Sequence, residues 1–516
     1  MKKSIRNILV FLPLLALILT ACNDDDSFSA SPFNSLTLGV DTVFMDTVFS
    51  KVPASTRSFW IYNKSGDGIR CSNVRLQNGN QTGFRVNVDG INLGEQTGFQ
   101  TSDIEIRKGD SIRVFVELTS RTTYQTAPKE IEDNLIFTLE SGKQQVVNLN
   151  AWSWDADLVQ EMRISRDSLI DNAGKRPLVI YRGITVDSLA TLTIAPGSII
   201  YFHDDAGIEV KGRLVCKGDS TNNVVLRGDR LDNMFDYLPY DLVPGRWKGI
   251  HFSASSYDNI IDFTDIHSGY DGIVCDSSDV NRLKLTLTAS TIHNCKGYGV
   301  STSNAKVIIE NCQISNTLAD CVSVMGGDVS LLHCTLAQFY PFDAQRGAAL
   351  RFSNGNGTNV WPLVNLSVRN SIVTGYADDV IMGTKADSTA AFHYSFAYSL
   401  LRTPEIKDST VCDSIIWENV KDTISAGWKN FKRIDTELLR YDFHLDSISK
   451  AIGTANKAWA LPYNRDGIKP KDVVNMGCYS LSGRLVVWLF VEFARNWTSN
   501  KPTTDHRLLT TNKPTR

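Results

Sequence analysis

From Leu36 the chain runs in short stretches that alternate apolar and polar residues: Leu36 to Phe49, Arg57 to Tyr62, Phe84 to Val88, Ile112 to Leu118, Leu135 to Leu139 and Gln145 to Leu149. Turn-forming residues such as Gly66-Asp67-Gly68, Asn78-Gly79-Asn80 and Lys108-Gly109-Asp110 punctuate them. Alternation puts one set of side chains on a buried face and the other in water, and turns of this kind return the chain antiparallel. Residues 36–152 are therefore predicted to form an antiparallel β-sandwich.

After residue 152 the pattern becomes periodic. Five segments, 261–266, 287–292, 309–314, 331–336 and 368–373, align without gaps, and their last positions lie 26, 22, 22 and 37 residues apart. Their first and last columns are apolar, and the fourth is always small: Thr264, Ser290, Cys312, Cys334 and Ser371. A second set of columns follows about seven residues later, at Gly272-Ile273, Gly299-Val300, Cys321-Val322 and Val380-Ile381, with Ala349-Leu350 displaced by an insertion. Like residues in columns at a period of about 22 mean that each turn of chain stacks on the next, about 4.8 Å away, because no coil can bury its apolar face alone. The prediction is an all-β chain whose residues 153–480 form a parallel β-solenoid. The asparagine-and-leucine pattern of leucine-rich repeats is absent. The stretch from Tyr340 to Pro362, which widens the spacing to 37, is expected to hold the longest loop and hence a binding feature.

The flanks of the periodic region carry a resemblance. Leu192-Thr193-Ile194-Ala195-Pro196-Gly197, then Ile208-Glu209-Val210-Lys211-Gly212-Arg213-Leu214 and Trp247-Lys248-Gly249-Ile250, are similar to the opening turns of bacterial right-handed parallel β-helix proteins. Tyr441-Asp442-Phe443-His444-Leu445, Asn464 to Pro470 and Asn475-Met476-Gly477-Cys478-Tyr479 resemble their closing motif. The resemblance spans roughly residues 150–480, and it implies a right-handed β-helix that ends near Tyr479. Residues 481–516 depart from it and read as an atypical tail: a capping strand, a partner-binding segment or a non-native extension. In the first domain, Ser58-Phe59-Trp60-Ile61-Tyr62-Asn63 and Lys108-Gly109-Asp110-Ser111-Ile112 resemble immunoglobulin-like modules beneath bacterial surface domains, which implies a spacer.

The N-terminus bears on location. Lys2, Lys3 and Arg6 precede an apolar run from Ile8 to Leu19, a secretion signal too short to span about 30 Å of hydrocarbon. Leu19-Thr20-Ala21-Cys22 resembles the lipobox of bacterial lipoproteins, which implies removal of residues 1–21 and acylation of Cys22, a durable membrane anchor. Asn23-Asp24-Asp25-Asp26 resembles the surface-export signal of Bacteroidota-type lipoproteins, so the resemblance implies lipid anchorage to the outer membrane with exposure at the cell surface. Residues 22–35 form a polar linker. An Asp-Ser/Thr triplet similar to the O-glycosylation acceptor of such envelope proteins recurs from Thr42 to Ser447, although serine and threonine after aspartate are also ordinary turn chemistry.

Charge and cysteine content narrow the function classes. A formal net charge of −3 over 516 residues, with no long basic stretch, gives no electrostatic footprint for nucleic acid. With Cys22 assigned to lipid, an odd number of cysteines remains and none has C-x-x-C spacing, so neither a disulfide framework nor a zinc motif is indicated. No cofactor motif, nucleophile elbow or phosphate loop occurs.

Candidate chemistry comes from the columns. His267 and His293 share a column one place after the apolar anchor, with Ser315 next and His333 on a neighbouring column. Beside Asp265 the two histidines would suit general base and acid for cleaving an acidic sugar chain, although stacked polar side chains also build purely structural ladders. Asp262, Asp265, Asp271 and Asp276 crowd two strands, a pattern for calcium or paired acids that turn aspartates bonding their own backbone would equally produce. Trp247, Tyr257, Tyr270, Tyr298, Tyr340 and Trp361 are candidate sugar-stacking rings, with core packing as the alternative for each. The expected function is a surface-anchored lipoprotein whose β-helix binds glycans or other surfaces without catalysis. A polysaccharide lyase or glycoside hydrolase on a β-helix face and a structural envelope protein are the alternatives, and the oligomeric state stays open.

Overall fold

The computed structural model describes residues 27–79, 81–235, 237–422, 424–425, 427–470 and 473–480. The leader, Cys22, the acidic run after it and the atypical tail lie outside the described residues. Within them the regular elements are strands and four short 3-10 turns, and no helix is long and apolar enough to cross a membrane. The chain divides into two compact units, Met1–Asp155 and Ala156–Arg516.

In the first unit a five-stranded and a six-stranded sheet, counted among the described residues, enclose one apolar cluster that includes Ile61, Val74, Val114, Phe137 and Leu149. Lys129–Leu139 and Gln144–Trp154 form a long antiparallel hairpin, while Thr42–Phe49 joins Gln144–Trp154 in parallel. The run from Leu36 to Phe49 is two strands: Thr37–Leu38 pairs in one sheet and Thr42–Phe49 in the other. The switch begins at Gly39, where a Cβ would stand 2.6 Å from the Trp60 carbonyl oxygen, so a side chain would break the close approach. Sequence alternation missed Ile69–Leu76, because Arg70, Ser72, Asn73 and Arg75 dilute its apolar signal, yet Ile69, Cys71, Val74 and Leu76 are all buried.

The second unit is a parallel β-solenoid. Each regular coil contributes one strand to an eleven-stranded sheet and two to a seventeen-stranded sheet, counted among the described residues. The columns read from sequence are the register observed. Ile266 pairs with Ile292, then Ile314, Leu336 and Val373 in one sheet, and Ile261 with Leu287, Ile309, Leu331 and Val368 in the other. The displaced Ala349-Leu350 falls back into register, with Leu350 between Val322 and Ile381. The apolar columns point inward and form one continuous core from Ile164 to Leu401.

The small fourth column has a hydrogen-bonding cause. Just before it the chain turns a corner in one residue, at Phe263, Ala289, Asn311, His333, Asn370 and Tyr398, whose φ values of 40° to 53° are left-handed. Outside glycine such a conformation costs roughly 1–2 kcal/mol. The next side chain ties the corner to its neighbour: Ser371 Oγ donates to the Arg369 carbonyl (2.7 Å) and accepts from Cys334 N (3.0 Å). Ser290 Oγ does the same with the Thr288 carbonyl and Thr264 N. Only a short side chain bearing a hydroxyl or thiol can reach both groups from this position.

The closing motif does more than end the solenoid. After the antiparallel pair Phe431–Asp435 and Arg440–Leu445, the chain runs back over the outer face of the eleven-stranded sheet. Phe443, Ala451 and Met476 pack there with Ala337, Phe339, Ile372 and Leu400. Further back, Tyr479 Oη donates to Gln313 Oε1 (2.7 Å) and Arg465 Nε donates to Thr291 Oγ1 (2.9 Å).

Candidate functional site

The histidine column is built by the sheet and sealed by an insertion. His267 and His293 pair in register on Thr264–His267 and Thr291–Cys295, on the side opposite the inward Ile266 and Ile292, and Ser315 follows as expected. Their rings stack 4.9 Å apart at 14°. Residues 229–249, inserted between Val224–Gly228 and Ile250–Phe252, bring Asp241 over them. His267 Nε2 lies 2.7 Å from Asp241 Oδ1 and its Nδ1 3.0 Å from Asp265 Oδ1, while His293 Nε2 is 3.3 Å from that same Asp265 oxygen. Arg227 completes the chain of charges, 2.8 Å from Asp241.

Burial and charge compete at this cluster. Desolvation alone would lower the pKa of His267, but Asp241 and Asp265 outweigh it and raise the group to about 9. Burial pushes the Asp265 carboxyl up, and His267 and His293 more than reverse this, holding it well below the usual carboxylate range. Asp241 is likewise held low, against burial, by Arg227 and His267. His267 is 4 % exposed and His293 7 %. With both nitrogens of His267 committed to carboxylates beneath the insertion, the pair acts in this structure as an electrostatic clamp, not as an acid and base open to a sugar chain. Asp265, His267 and His293 are also the group among the described residues whose ligand atoms all lie within 4.8 Å of one another, close enough to share a metal ion.

The clamp has a pH signature. His444, between Asp442 (2.5 Å) and Asp466 (3.1 Å), is raised to about 9 by those carboxylates against the opposing effect of burial, and burial of His333 lowers it to about 4. The unfolded value of each is 6.5. A raised histidine contributes stability that is present below 6.5 and lost as pH rises through 9, and a lowered one contributes stability present above 6.5 and lost as pH falls through 4. Denaturant midpoints measured across pH are therefore expected to peak near 6.5 and decline on both sides, and His267→Gln should flatten the alkaline limb. A midpoint that stays constant between 6.5 and 9 would remove the clamp.

The four crowded aspartates do not converge. Asp265 is in the clamp, and Asp262 accepts from Thr288 Oγ1 on the other sheet. Asp271 accepts from Tyr298 N at a corner, and Asp276 lies 3.0 Å from His251 Nε2. His251 Nδ1 is in turn 2.6 Å from Glu209, on an exposed face. Sequence reasoning missed Asp241, Arg227 and Glu209, for which local spacing held no signal. Most described cysteines are buried and unpaired, and burial pushes the thiols of Cys216, Cys275, Cys312 and Cys321 up to about 12.

The aromatic candidates divide by exposure. Trp247 is buried: its ring stacks on Phe202 at 4.5 Å and its Nε1 donates to the His267 carbonyl (2.8 Å). Tyr340 is also buried, and Trp361 is half-buried with its Cβ beside Gly326. Tyr257 lies under the Arg282 guanidinium, 3.8 Å from the ring centre. Tyr270 and Tyr298 are 52 % and 37 % exposed on successive coils, at the corner that leads from the eleven-stranded sheet to the next face. Lys296 lies 5.9 Å from the Tyr270 ring. The insertion returns to this corner through Gly245 N donating to the Gly269 carbonyl, and it also bears Phe235 and Tyr237, exposed and stacked at 5.8 Å. The predicted long loop from Tyr340 to Pro362 is interrupted by Leu350–Ser353, which holds its regular place in the ladder.

Residues 167–336, and overlapping them 215–391, match the family model described as right handed beta helix region. Over those residues the solenoid is similar to right-handed β-helices. No curated protein matches the chain. Among solved structures, the catalytic unit of a GH87 α-1,3-glucanase from Streptomyces thermodiastaticus is 10% identical, over 67% of this chain and 73% of that one, with a TM-score of 0.26. A PapD-like domain of human CEP192 is 10% identical over 25% of this chain and 96% of its own, with a TM-score of 0.16. A family 123 glycoside hydrolase from Clostridium perfringens is 8% identical over 24% of this chain, at a TM-score of 0.16, and the chain spans only 26% of that enzyme. Likenesses this slight define neither a substrate nor a reaction.

Proposed function

We propose that the protein is an exported bacterial lipoprotein, anchored through acyl chains on Cys22 at the outer membrane, whose β-helix binds glycans at the cell surface without cleaving them. The observation that carries the binding reading is the pair of exposed rings, Tyr270 and Tyr298, on successive coils. The register sets Tyr298 opposite Asp271, one residue along from Tyr270, so the two rings are diagonal neighbours on coils about 4.8 Å apart, with cation and carboxylate groups nearby: Lys296, and Asp320 held 2.8 Å from Arg351 Nε. Apolar ring faces edged by fixed polar groups suit the alternating apolar and hydroxyl surfaces of a sugar. The first unit, read as an immunoglobulin-like spacer, would raise this edge from the membrane, and the Asp-Ser/Thr triplets would carry glycans of their own. No nucleic acid and no cofactor enter the proposal.

A glycan array followed by calorimetry tests the binding reading. Tyr270→Ala and Tyr298→Ala are each expected to weaken a positive glycan by about tenfold or more while leaving the melting temperature unchanged. Retention of full affinity in both variants would exclude this edge. Location is tested separately, by protease treatment of intact cells beside a periplasmic control and by Cys22→Ser, which should release the protein from membranes.

One observation favours a hydrolase instead. Asp271, Tyr298 and Asp320 occupy one row of successive coils, so the two carboxylates flank the tyrosine roughly two ladder spacings, about 9.6 Å, apart. Inverting glycosidases separate their acid and base by a comparable distance. Burial raises the Asp271 carboxyl, as a general acid needs, whereas both groups also accept from the backbone of the next coil, through Tyr298 N and Ala348 N. New reducing ends that vanish in Asp271→Asn would establish that reading.

A further inference from the structure

We propose that Asp265, His267 and His293 form a binding site for a divalent transition-metal ion of the Zn2+ class, with Asp241 as the outer carboxylate that orients His267. The separations fit. Zn–N bonds of about 2.0–2.1 Å and Zn–O bonds of about 2.0–2.2 Å put tetrahedral ligand atoms about 3.4 Å apart. Asp265 Oδ1 stands 3.0 Å from His267 Nδ1 and 3.3 Å from His293 Nε2, and the three atoms lie within 4.8 Å of one another. An ion among them would draw the histidine nitrogens together and displace the proton that His267 Nδ1 shares with Asp265, so binding would release a proton.

The surroundings also match what a bound metal needs. A ligating histidine commonly donates its other ring N–H to a carboxylate, which fixes the tautomer and strengthens the ligand. His267 Nε2 faces Asp241 Oδ1 at 2.7 Å, and Arg227 in turn fixes Asp241 at 2.8 Å. Ladder pairing of the two histidine strands holds the imidazoles as neighbours in register, and one ring must tilt out of the stack to aim its lone pair at a shared ion. Two imidazoles and one carboxylate suit Zn2+ and its neighbours, whereas Ca2+ and Mg2+ prefer oxygen ligands. Three protein ligands leave a fourth position for water. Because Asp241 belongs to the insertion, an ion here would reinforce the attachment of residues 229–249 to the sheet.

The test uses the full chain after dialysis against a chelator, titrated with Co2+ by absorption spectroscopy and with Zn2+ by calorimetry and thermal melting. One ion per chain is expected, with a Co2+ spectrum of nitrogen and oxygen ligands, no thiolate charge-transfer band, and a higher melting temperature with Zn2+. His293→Gln and Asp265→Asn should each weaken binding at least about tenfold, and Asp241→Asn by about 10–100-fold as an outer-shell partner. A failure to bind, a thiolate band reporting one of the buried cysteines, or unchanged affinity in both ligand variants would overturn the site. The spectrum of the unsubstituted chain decides the question even where a variant does not fold.

Discussion

Arg402→Met is expected to destabilise the β-helix unit by about 3–5 kcal/mol. The Arg402 side chain is 1 % exposed. Its Nε donates to the Ala377 carbonyl (2.6 Å), Nη1 to that of Asn419 (3.3 Å) and Nη2 to that of Asp422 (3.1 Å). Glu418, 3 % exposed, lies 3.7 Å from the guanidinium and takes further bonds from Thr374 Oγ1 and Asn430 Nδ2. Burial already raises the Glu418 carboxyl despite these partners. Methionine would fill much of the volume but strand three carbonyls and a buried carboxylate, and a buried charge without its partner costs more than the pair itself gains. The double variant Arg402→Met, Glu418→Gln should recover a large part of the loss. Urea midpoints of the two single variants and the double variant give the coupling energy, and additive losses would show that the two groups stabilise the last coils independently.

Trp247→Ala is expected to cost about 3–5 kcal/mol, as for other fully buried aromatic residues. The indole stacks on Phe202 at 11° inside the helix core, and its N–H satisfies the carbonyl of His267. Trp247→Phe keeps the stack and loses the hydrogen bond, so it should cost considerably less, of the order of 1 kcal/mol from that bond. Thermal or urea unfolding separates the two. If Trp247→Ala left stability unchanged and abolished glycan binding, the ring would have to be a ligand platform and not core. Loss of the whole indole would also free the backbone beneath the histidine clamp, so a flatter alkaline limb should accompany it.

Much of the β-helix was legible because its information is local and repeated. A strand alternates in and out with period two, and like residues stack across coils, so the columns ending at Ile266, Ile292, Ile314, Leu336 and Val373 disclose register without any contact being known. The small column at Ser290 and Ser371 was equally visible, although its reason, a hydroxyl bridging two corners, was not. Ile69–Leu76 escaped because half its positions are polar on a partly exposed face. Candidate sites fared differently. The histidine column was found, but not what covers it, since Asp241 reaches it from an insertion with no periodicity to betray it. The aromatic residues looked alike in sequence, and only packing separates buried Trp247 and Tyr340 from exposed Tyr270 and Tyr298.

The sequence by itself determined the inward face of every regular coil, the stacking of one coil on the next and the histidine ladder, because hydrophobic alternation and repetition act between chain neighbours and between identical positions. Tertiary structure alone decided what covers the outward faces. Tyr479 meets Gln313 across 166 residues and Arg465 meets Asn223 across 242, contacts set by where a distant, non-repeating segment lies down. A side chain's inward or outward direction follows from its own strand. Whether an outward side chain meets solvent, a clamp or a ligand depends on that second surface, and no period in the sequence encodes it.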